Sequence, residues 1–234
     1  MAGEGSRFLK EGWTTPKPLI KLHGKELFLR AIDSVYINEA LIKYSFIVRQ
    51  EHIDKYQIDK KIIDLLPSAN VFSVAKTTRG AVETCLKARQ AISQEDSLII
   101  MDCDLEFSSK SFINKIKEIL LKPIDAVDGG ILLSFNSDQP KYSYAEIDEN
   151  NNVIRTAEKE VISNHALCGA YFFAKSQSFL NVADEMINDT NFSKPEFYVS
   201  LLFNSLLKNG EHVKLAKMEK YASYGTPEEL KQYL

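Results

Sequence analysis

The chain has 234 residues, 44% hydrophobic and 26% charged, an ordinary globular composition with ample material for a core. A formal net charge of −3, with no basic run and little interleaving of Arg with aromatic residues, argues against nucleic acid as a partner. Cys85, Cys103 and Cys168 are widely spaced and form no C-x-x-C pair, so neither a zinc site nor a disulfide framework is expected.

The chain opens on a glycine loop, Gly3-Glu4-Gly5-Ser6-Arg7, and continues to a lysine between prolines, Pro16-Lys17-Pro18. Glycines let backbone N–H groups approach phosphate oxygens without an intervening Cβ. Arg7 and Lys17 supply the positive charge that phosphoryl transfer needs. The spacing is neither the Walker pattern nor the G-x-G-x-x-G dinucleotide fingerprint. Helical periodicity follows over Glu26 to Tyr36, a strand over Leu41 to Val48, a helix over Ile53 to Leu66 and a strand over Val71 to Val74. Gly80 to Ile92 again has helical spacing. Ser97 to Met101 is a continuous apolar run ending in Asp102-Cys103-Asp104, as a buried parallel strand would. The second half reads differently: Gly130 to Phe135, Tyr142 to Ile147 and Val153 to Thr156 are strands, with a hairpin-like turn at Asp148–Asn152. Ser176 to Ile187 and Glu196 to Leu207 are amphipathic helices, the second ended by Asn209-Gly210. Strands alternating with helices imply βαβ units. The expected fold class is α/β, with a mixed, mostly parallel sheet flanked by helices, in one domain over residues 1–234. No stretch approaches about 20 apolar residues and no signal peptide opens the chain, so a cytoplasmic protein with no membrane span is expected.

The opening motif resembles the signature of the sugar-phosphate nucleotidyltransferases, G-x-G-[ST]-R-[LF] followed by P-K-P-[LM]. The resemblance continues in order along nearly the whole chain. Thr78-Arg79-Gly80-Ala81 resembles the segment that receives the nucleobase, and Met101-Asp102-Cys103-Asp104 the metal-binding strand end. Glu158-Lys159 with Gly169-Ala170-Tyr171 is similar to the acceptor-binding stretch, and Gly225-Thr226-Pro227-Glu228-Glu229-Leu230 to the closing G-T-P-[ED]-[DE]-L. The resemblance implies a nucleotide-binding fold shared with GT-A glycosyltransferases, a nucleotide-binding half over 1–125 and an acceptor-binding half over 126–234. It implies a nucleoside triphosphate and a phosphorylated small acceptor as partners, first a sugar 1-phosphate for surface polysaccharide synthesis, with pyrophosphate released. Arg7 and Lys17 take the catalytic roles; Ala2, Gly3, Gly5, Ser6, Arg79, Gly80 and Asp102 contact the nucleotide; Glu158, Lys159, Gly169 and Tyr171 hold the acceptor. Asp104 is the expected Mg²⁺ ligand, because a carboxylate at the end of a buried strand faces the crevice where ligands collect, and Mg²⁺ takes one or two carboxylates plus phosphate oxygens. The aromatics Tyr142, Tyr144, Tyr171, Phe197 and Tyr198 are candidates for walls of the acceptor pocket, and exposed apolar positions on the C-terminal helices permit a homodimer.

The sequence departs from the pattern in two places. In the resembled fold a buried strand precedes the glycine loop, whereas here Met1 stands directly before Ala2-Gly3, so the first strand is expected to be missing from the chain as given. The second metal carboxylate, expected just ahead of the closing G-T-P, falls on Ala222, Ser223 and Tyr224, none of them acidic. Two alternatives therefore stay open. One is a metal-dependent glycosyltransferase using Asp102-Cys103-Asp104 as a D-x-D motif, and the other a nucleotide-binding protein without turnover.

Overall fold

A computed structural model describes residues 1–38, 40–127 and 129–234. In chain order the elements begin with α1 (Ser6–Lys10), β1 (Lys21–Leu22), β2 (Lys25–Glu26), α2 (Leu27–Asp33), β3 (Ser45–Arg49), α3 (Gln50–Tyr56), α4 (Ile58–Leu65) and β4 (Asn70–Val74). Next come α5 (Ala81–Leu86), β5 (Leu98–Met101), β6 (Leu105–Ser108), α6 (Lys110–Leu120), β7 (Gly130–Asn136), β8 (Ser143–Ile147), β9 (Val153–Glu158) and β10 (His165–Phe173). The chain closes through α7 (Ser176–Asn188), α8 (Val199–Lys208), β11 (Val213–Lys217), β12 (Lys220–Ser223) and α9 (Pro227–Lys231). These group into two compact units, one of Met1–Thr78, Asp102–Ser108 and Lys220–Leu234, the other of Arg79–Met101 and Ser109–Glu219.

In the first unit β3 and β4 run parallel, Ser45 opposite Asn70 and Arg49 opposite Val74. Their apolar residues pack with two helices: Phe46 and Val48 meet Phe28 of α2 and Ile58 and Ile62 of α4 in one cluster. The sequence periodicity predicts one helix over 53–66, but the structure breaks it at Gln57, which is left-handed at φ 51° and separates α3 from α4. The reason is the frame of burial: α3 buries no residue, whereas α4 buries Ile58 and Ile62 one turn apart. A second cluster joins Phe8, Ile20, Leu22 and Leu27 to Tyr224 and Leu230 near the C-terminus. There β12 lies antiparallel on β6, Ser223 opposite Leu105, and α9 starts with a capping box, Thr226 accepting from the Glu229 N–H while the Glu229 side chain returns to the Thr226 N–H.

The second unit is built on a six-stranded sheet in the order β11-β7-β10-β8-β9, with β5 also paired to β10. Helices α7 and α8 each bury one face. On α8 the buried set Val199, Leu202, Phe203 and Leu206 repeats at the spacing of an amphipathic helix. Phe173, Phe179 and Phe203 are fully buried, each worth about 1.5–3 kcal/mol of transfer free energy.

The α/β class with a mixed sheet flanked by helices is therefore what this chain forms, but the balance of strand directions differs from the expectation. Among the described residues the parallel ladders are β3–β4 and β7–β11, while β10 pairs antiparallel with β5, β7 and β8, and β8 with β9. A continuous apolar run reports burial on both faces and carries no information on direction. Leu98–Met101 is such a run, paired antiparallel to β10.

One close approach fixes the start of α5. Gly80 has φ 144°, outside the range comfortable for L-residues, and a Cβ there would run into the backbone of Phe197, 2.7 Å from its carbonyl oxygen and closer still to its nitrogen. Phe197 N–H donates to the Arg79 carbonyl at 2.9 Å, and the Val82 N–H donates to the Phe197 carbonyl at 3.1 Å. Two hydrogen bonds thus join residues 79–82 to residue 197 with no room for a side chain between them. Gly80→Ala should cost about 3 kcal/mol through forced backbone strain and overpacking, a fall in Tm of roughly 5–10 °C for a protein of this size. A thermal melt within about 2 °C of wild type would contradict this packing account.

Candidate active site

In the first unit the glycine loop leads into α1 through Gly5, left-handed at φ 63°, whose carbonyl accepts from the N–H groups of Phe8 and Leu9. Phe8 is buried, edge-on to Trp13 at 5.6 Å, and anchors the turn from which Ser6 and Arg7 are exposed. A Cβ on Gly3 would meet nothing within 4 Å and Gly3 has no positive φ, so neither packing nor backbone strain requires glycine there. A bare backbone at an open position is what close approach of a ligand needs.

Lys17 begins a 3-10 turn, Lys17–Leu19, between Pro16 and Pro18, and its Nζ donates to Asp104 Oδ2 at 2.5 Å. Both side chains are about four-fifths buried, with 22% and 20% exposure. Burial opposes the ammonium's charge, but Asp104, with Cys103 and Asp102 adding to it, outweighs that and holds the Lys17 pKa above its usual value. Asp104 follows β5 by a short turn containing Asp102 and Cys103, and its carbonyl accepts the Tyr224 N–H at 2.8 Å. Asp102 is exposed. Burial, opposed in part by Lys17, pushes the Cys103 thiol up, so it stays protonated between its two acids.

The positions without an acid have defined partners. Ala222 lies opposite Glu106 on β6, and Ser223 Oγ donates to Glu229 Oε2 at 2.8 Å. The Tyr224 hydroxyl donates to Glu106 Oε2 at 2.9 Å, the oxygen that also accepts from Arg30 Nη1 at 2.9 Å. Burial and that carboxylate push the Tyr224 hydroxyl pKa up. Three oxygens converge on the hydrogen face of Gly225: a Cβ built there would lie 3.2 Å from Glu229 Oε2, 3.5 Å from Asp104 Oδ2 and 3.6 Å from Ser223 Oγ. Hard oxygen donors around a cradle of this kind suit Mg²⁺. Among the described residues no group of three or more His, Cys, Asp or Glu would hold a metal unaided.

In the second unit the Arg79 guanidinium lies 4.7 Å from the Phe197 ring centroid, and Arg79 Nε and backbone N–H both donate to Glu83 Oε2 at 3.1 Å and 2.7 Å. The backbone N–H of Arg79 is the main reason the Glu83 carboxyl lies below its usual range. Glu158, at the end of β9, is buried, and its Oε2 accepts from Ser143 Oγ at 2.5 Å and Ser200 Oγ at 2.9 Å. Lys159 is left-handed at φ 57° and exposed, with Nζ donating to the Tyr198 hydroxyl at 2.9 Å over a ring 5.1 Å away. That hydrogen bond is the leading cause of its raised pKa.

Gly169 falls where β10 shifts register against β7, between Leu167 and Tyr171. The Tyr171 ring lies 6.1 Å from that of Phe203, packed against the core, and Tyr144 is fully buried with its hydroxyl on the Gln139 carbonyl at 2.7 Å. Both rings therefore have packing roles. The motifs leave out Glu83, Ser143 and Ser200 as partners of the site, whereas Glu229 lies within the closing motif. Glu83, four residues after Arg79, is the one local helical spacing could have revealed; Ser143 and Ser200 reach Glu158 over 15 and 42 residues.

An anionic phosphate ligand is the natural complement of exposed glycine backbone beside Arg7 and Lys17, and a carboxylate pair with a hydroxyl is the complement of a hard cation. A crystal structure of the nucleoside-diphosphate-sugar pyrophosphorylase from Vibrio cholerae RC9 is 25% identical, covered over 100% of this chain and 97% of that one, with a TM-score of 0.84. The inositol-1-phosphate CTP transferase from T. maritima (16% identity, 99% and 90% covered, TM-score 0.73) and UDP-glucose pyrophosphorylase complexed with UDP-glucose (17%, 99% and 94%, 0.74) share the fold. No protein among the curated sequences matches significantly. The family model described as nucleotidyl transferase matches residues 1–222, and the chain belongs to that family.

Proposed function

We propose that this nucleotidyltransferase joins a nucleoside triphosphate to a phosphorylated small acceptor, of which a sugar 1-phosphate is the leading class, and releases pyrophosphate. The carrying observation is the Lys17–Asp104 pair beside an exposed glycine loop, a cation and a carboxylate held together at 2.5 Å. In the reaction an acceptor phosphate oxygen forms a bond to the α-phosphorus while the bond to the bridging oxygen of the β-phosphate breaks, that oxygen leaving with pyrophosphate. The demand on the protein is positioning and charge neutralisation. Ala2, Gly3, Gly5 and Ser6 offer backbone and hydroxyl contacts to the triphosphate, Arg7 neutralises its β- and γ-phosphates, and Lys17 moves from Asp104 to the α-phosphate as charge develops there. Arg79 and Gly80 receive the base, and Asp102 the ribose. Asp104 would hold Mg²⁺, with Glu229 and Ser223 offering oxygens nearby, and the ion would neutralise phosphate charge. Glu158 takes acceptor hydroxyls, Lys159 the acceptor phosphate, with Gly169 and Tyr171 shaping that end.

The sugar 1-phosphate class is favoured by the Vibrio cholerae structure, described as a nucleoside-diphosphate-sugar pyrophosphorylase. A product of that kind would feed surface polysaccharide synthesis in the cytoplasm. No helix of the described residues is long and apolar enough to cross a membrane.

A thermal-shift panel of ATP, CTP, GTP, UTP and dTTP, each with and without Mg²⁺, identifies the base. A triphosphate at about 100 times its dissociation constant stabilises by about 2.7 kcal/mol, several degrees in Tm. One triphosphate standing out is the expected result. Lys17→Ala should lower the rate of pyrophosphate release by about 100-fold or more, the scale of one lost transition-state contact, and should lower Tm because Asp104 loses its partner, while the circular dichroism of the folded protein stays unchanged. Wild-type turnover in that variant would remove Lys17 from the mechanism. Asp104→Asn should abolish Mg²⁺-dependent release, and an unaltered Mg²⁺ titration would move the metal elsewhere.

A further inference from the structure

We propose that the short segment Glu196–Ser200, which leads into α8, is the clip that sets the acceptor grip, with Tyr198 and Ser200 acting as positioning residues for Lys159 and Glu158. This rests on the assignment of Glu158 and Lys159 to the acceptor made above. All the groups lie in the second unit.

Glu158 and Lys159 are neighbours in sequence but differ in environment, one a buried carboxylate and the other an exposed ammonium. Each takes a partner from the same five residues. The Ser200 hydroxyl, fully buried, donates to Glu158 Oε2 at 2.9 Å, and the Ser200 carbonyl accepts from Thr156 Oγ1 at 2.8 Å, so Ser200 holds β9 by backbone as well as side chain. Tyr198 accepts the Lys159 ammonium at 2.9 Å and in turn donates to Glu196 Oε1 at 3.4 Å, while its ring supports the ammonium at 5.1 Å. Between these two, Phe197 turns to the other side. Its N–H and carbonyl bind the Arg79 carbonyl and the Val82 N–H, and its ring lies under the Arg79 guanidinium. One segment therefore carries the base-side residues Arg79 and Gly80 on one hand and both acceptor-side charges on the other.

The physical consequence concerns ordering. A lysine ammonium on a flexible four-carbon stem has many rotamers. Fixing it on a phenol oxygen and a ring before the acceptor arrives removes that ordering cost from binding. Two hydroxyls on one oxygen of Glu158 likewise fix the plane in which the carboxylate presents its other oxygen. Such positioning shows mainly in the acceptor's KM and little in turnover at saturation.

The test measures pyrophosphate release with whichever triphosphate and sugar 1-phosphate give the fastest release. Tyr198→Phe keeps the ring and removes only the oxygen that receives Lys159. Its acceptor KM should rise about 10-fold, with saturated kcat within about 3-fold of wild type and the triphosphate KM unchanged. Adding Lys159→Ala to Tyr198→Phe should cost little beyond Lys159→Ala alone, because the tyrosine acts through the lysine. Ser200→Ala should raise the acceptor KM in the same selective way. An acceptor KM for Tyr198→Phe within twofold of wild type overturns the proposal, as does full additivity with Lys159→Ala. A joint fall of kcat, both affinities and Tm also overturns it, since that pattern is structural. If the wild-type protein releases no pyrophosphate with any pair, the acceptor reading itself falls and the clip falls with it.

Discussion

The first unit is organised around a partly buried ion pair that two distant stretches of chain must deliver to one point. Lys17 comes from a turn in which prolines on both sides limit the backbone, and Asp104 from the short link between β5 and β6. Neither charge tolerates this degree of burial alone, since desolvation penalises both charged forms. The pair is therefore a constraint on its surroundings. The Tyr224 N–H fixes the Asp104 carbonyl, Tyr224 and Leu230 pack with Phe8 and Ile20, and Phe8 anchors the helix that follows the glycine loop. Those contacts tie the two ends of the sequence to the pair although the opening and closing motifs lie more than 200 residues apart.

In the second unit the comparable role falls to backbone. Phe197 has its N–H and carbonyl committed to residues 79–82, at a place where only glycine fits. The buried serine two residues before the end of the first α8 turn then reaches Glu158. Polar contacts of this kind cost free energy unless every partner is present. Glu158 Oε2 is satisfied by two hydroxyls rather than by a cation.

Much of this was legible from the residues themselves. The glycine loop, the lysine between prolines and the acids after an apolar run lie in stretches of a few residues, where local chemistry dictates local geometry. Strands such as Asn70–Val74 and Gly130–Asn136 and the helix Ser176–Asn188 follow directly from periodicity. The misses have a common cause. The left-handed break at Gln57 depends on which face of each helix is buried, and the antiparallel placement of β5 on β10 depends on pairing across about 70 residues. The strands β6 and β12 are four residues each, and their pairing joins positions more than 110 residues apart. Likewise nothing near Glu158 in sequence announces Ser200.

No acid stands at the three positions ahead of the closing motif, and each of those positions has a defined surrounding. On β12 the places for a carboxylate are filled by Ala222, Ser223 and the buried Tyr224, whose hydroxyl joins Arg30 on the Glu106 carboxylate. Inserting an acid at position 224 would put a second negative charge against Glu106 inside a packed cluster, an arrangement that raises the energy of both. On α9 the closing motif's own Glu229 is oriented by its capping box and by the Ser223 hydroxyl. A methyl group on Gly225 would press on Glu229 Oε2 at 3.2 Å and lie in ordinary contact with Asp104 Oδ2 and Ser223 Oγ at 3.5 Å and 3.6 Å, so the three oxygens surround one small volume. Ser223, two residues before the glycine, thus aims a carboxylate that the closing motif itself supplies.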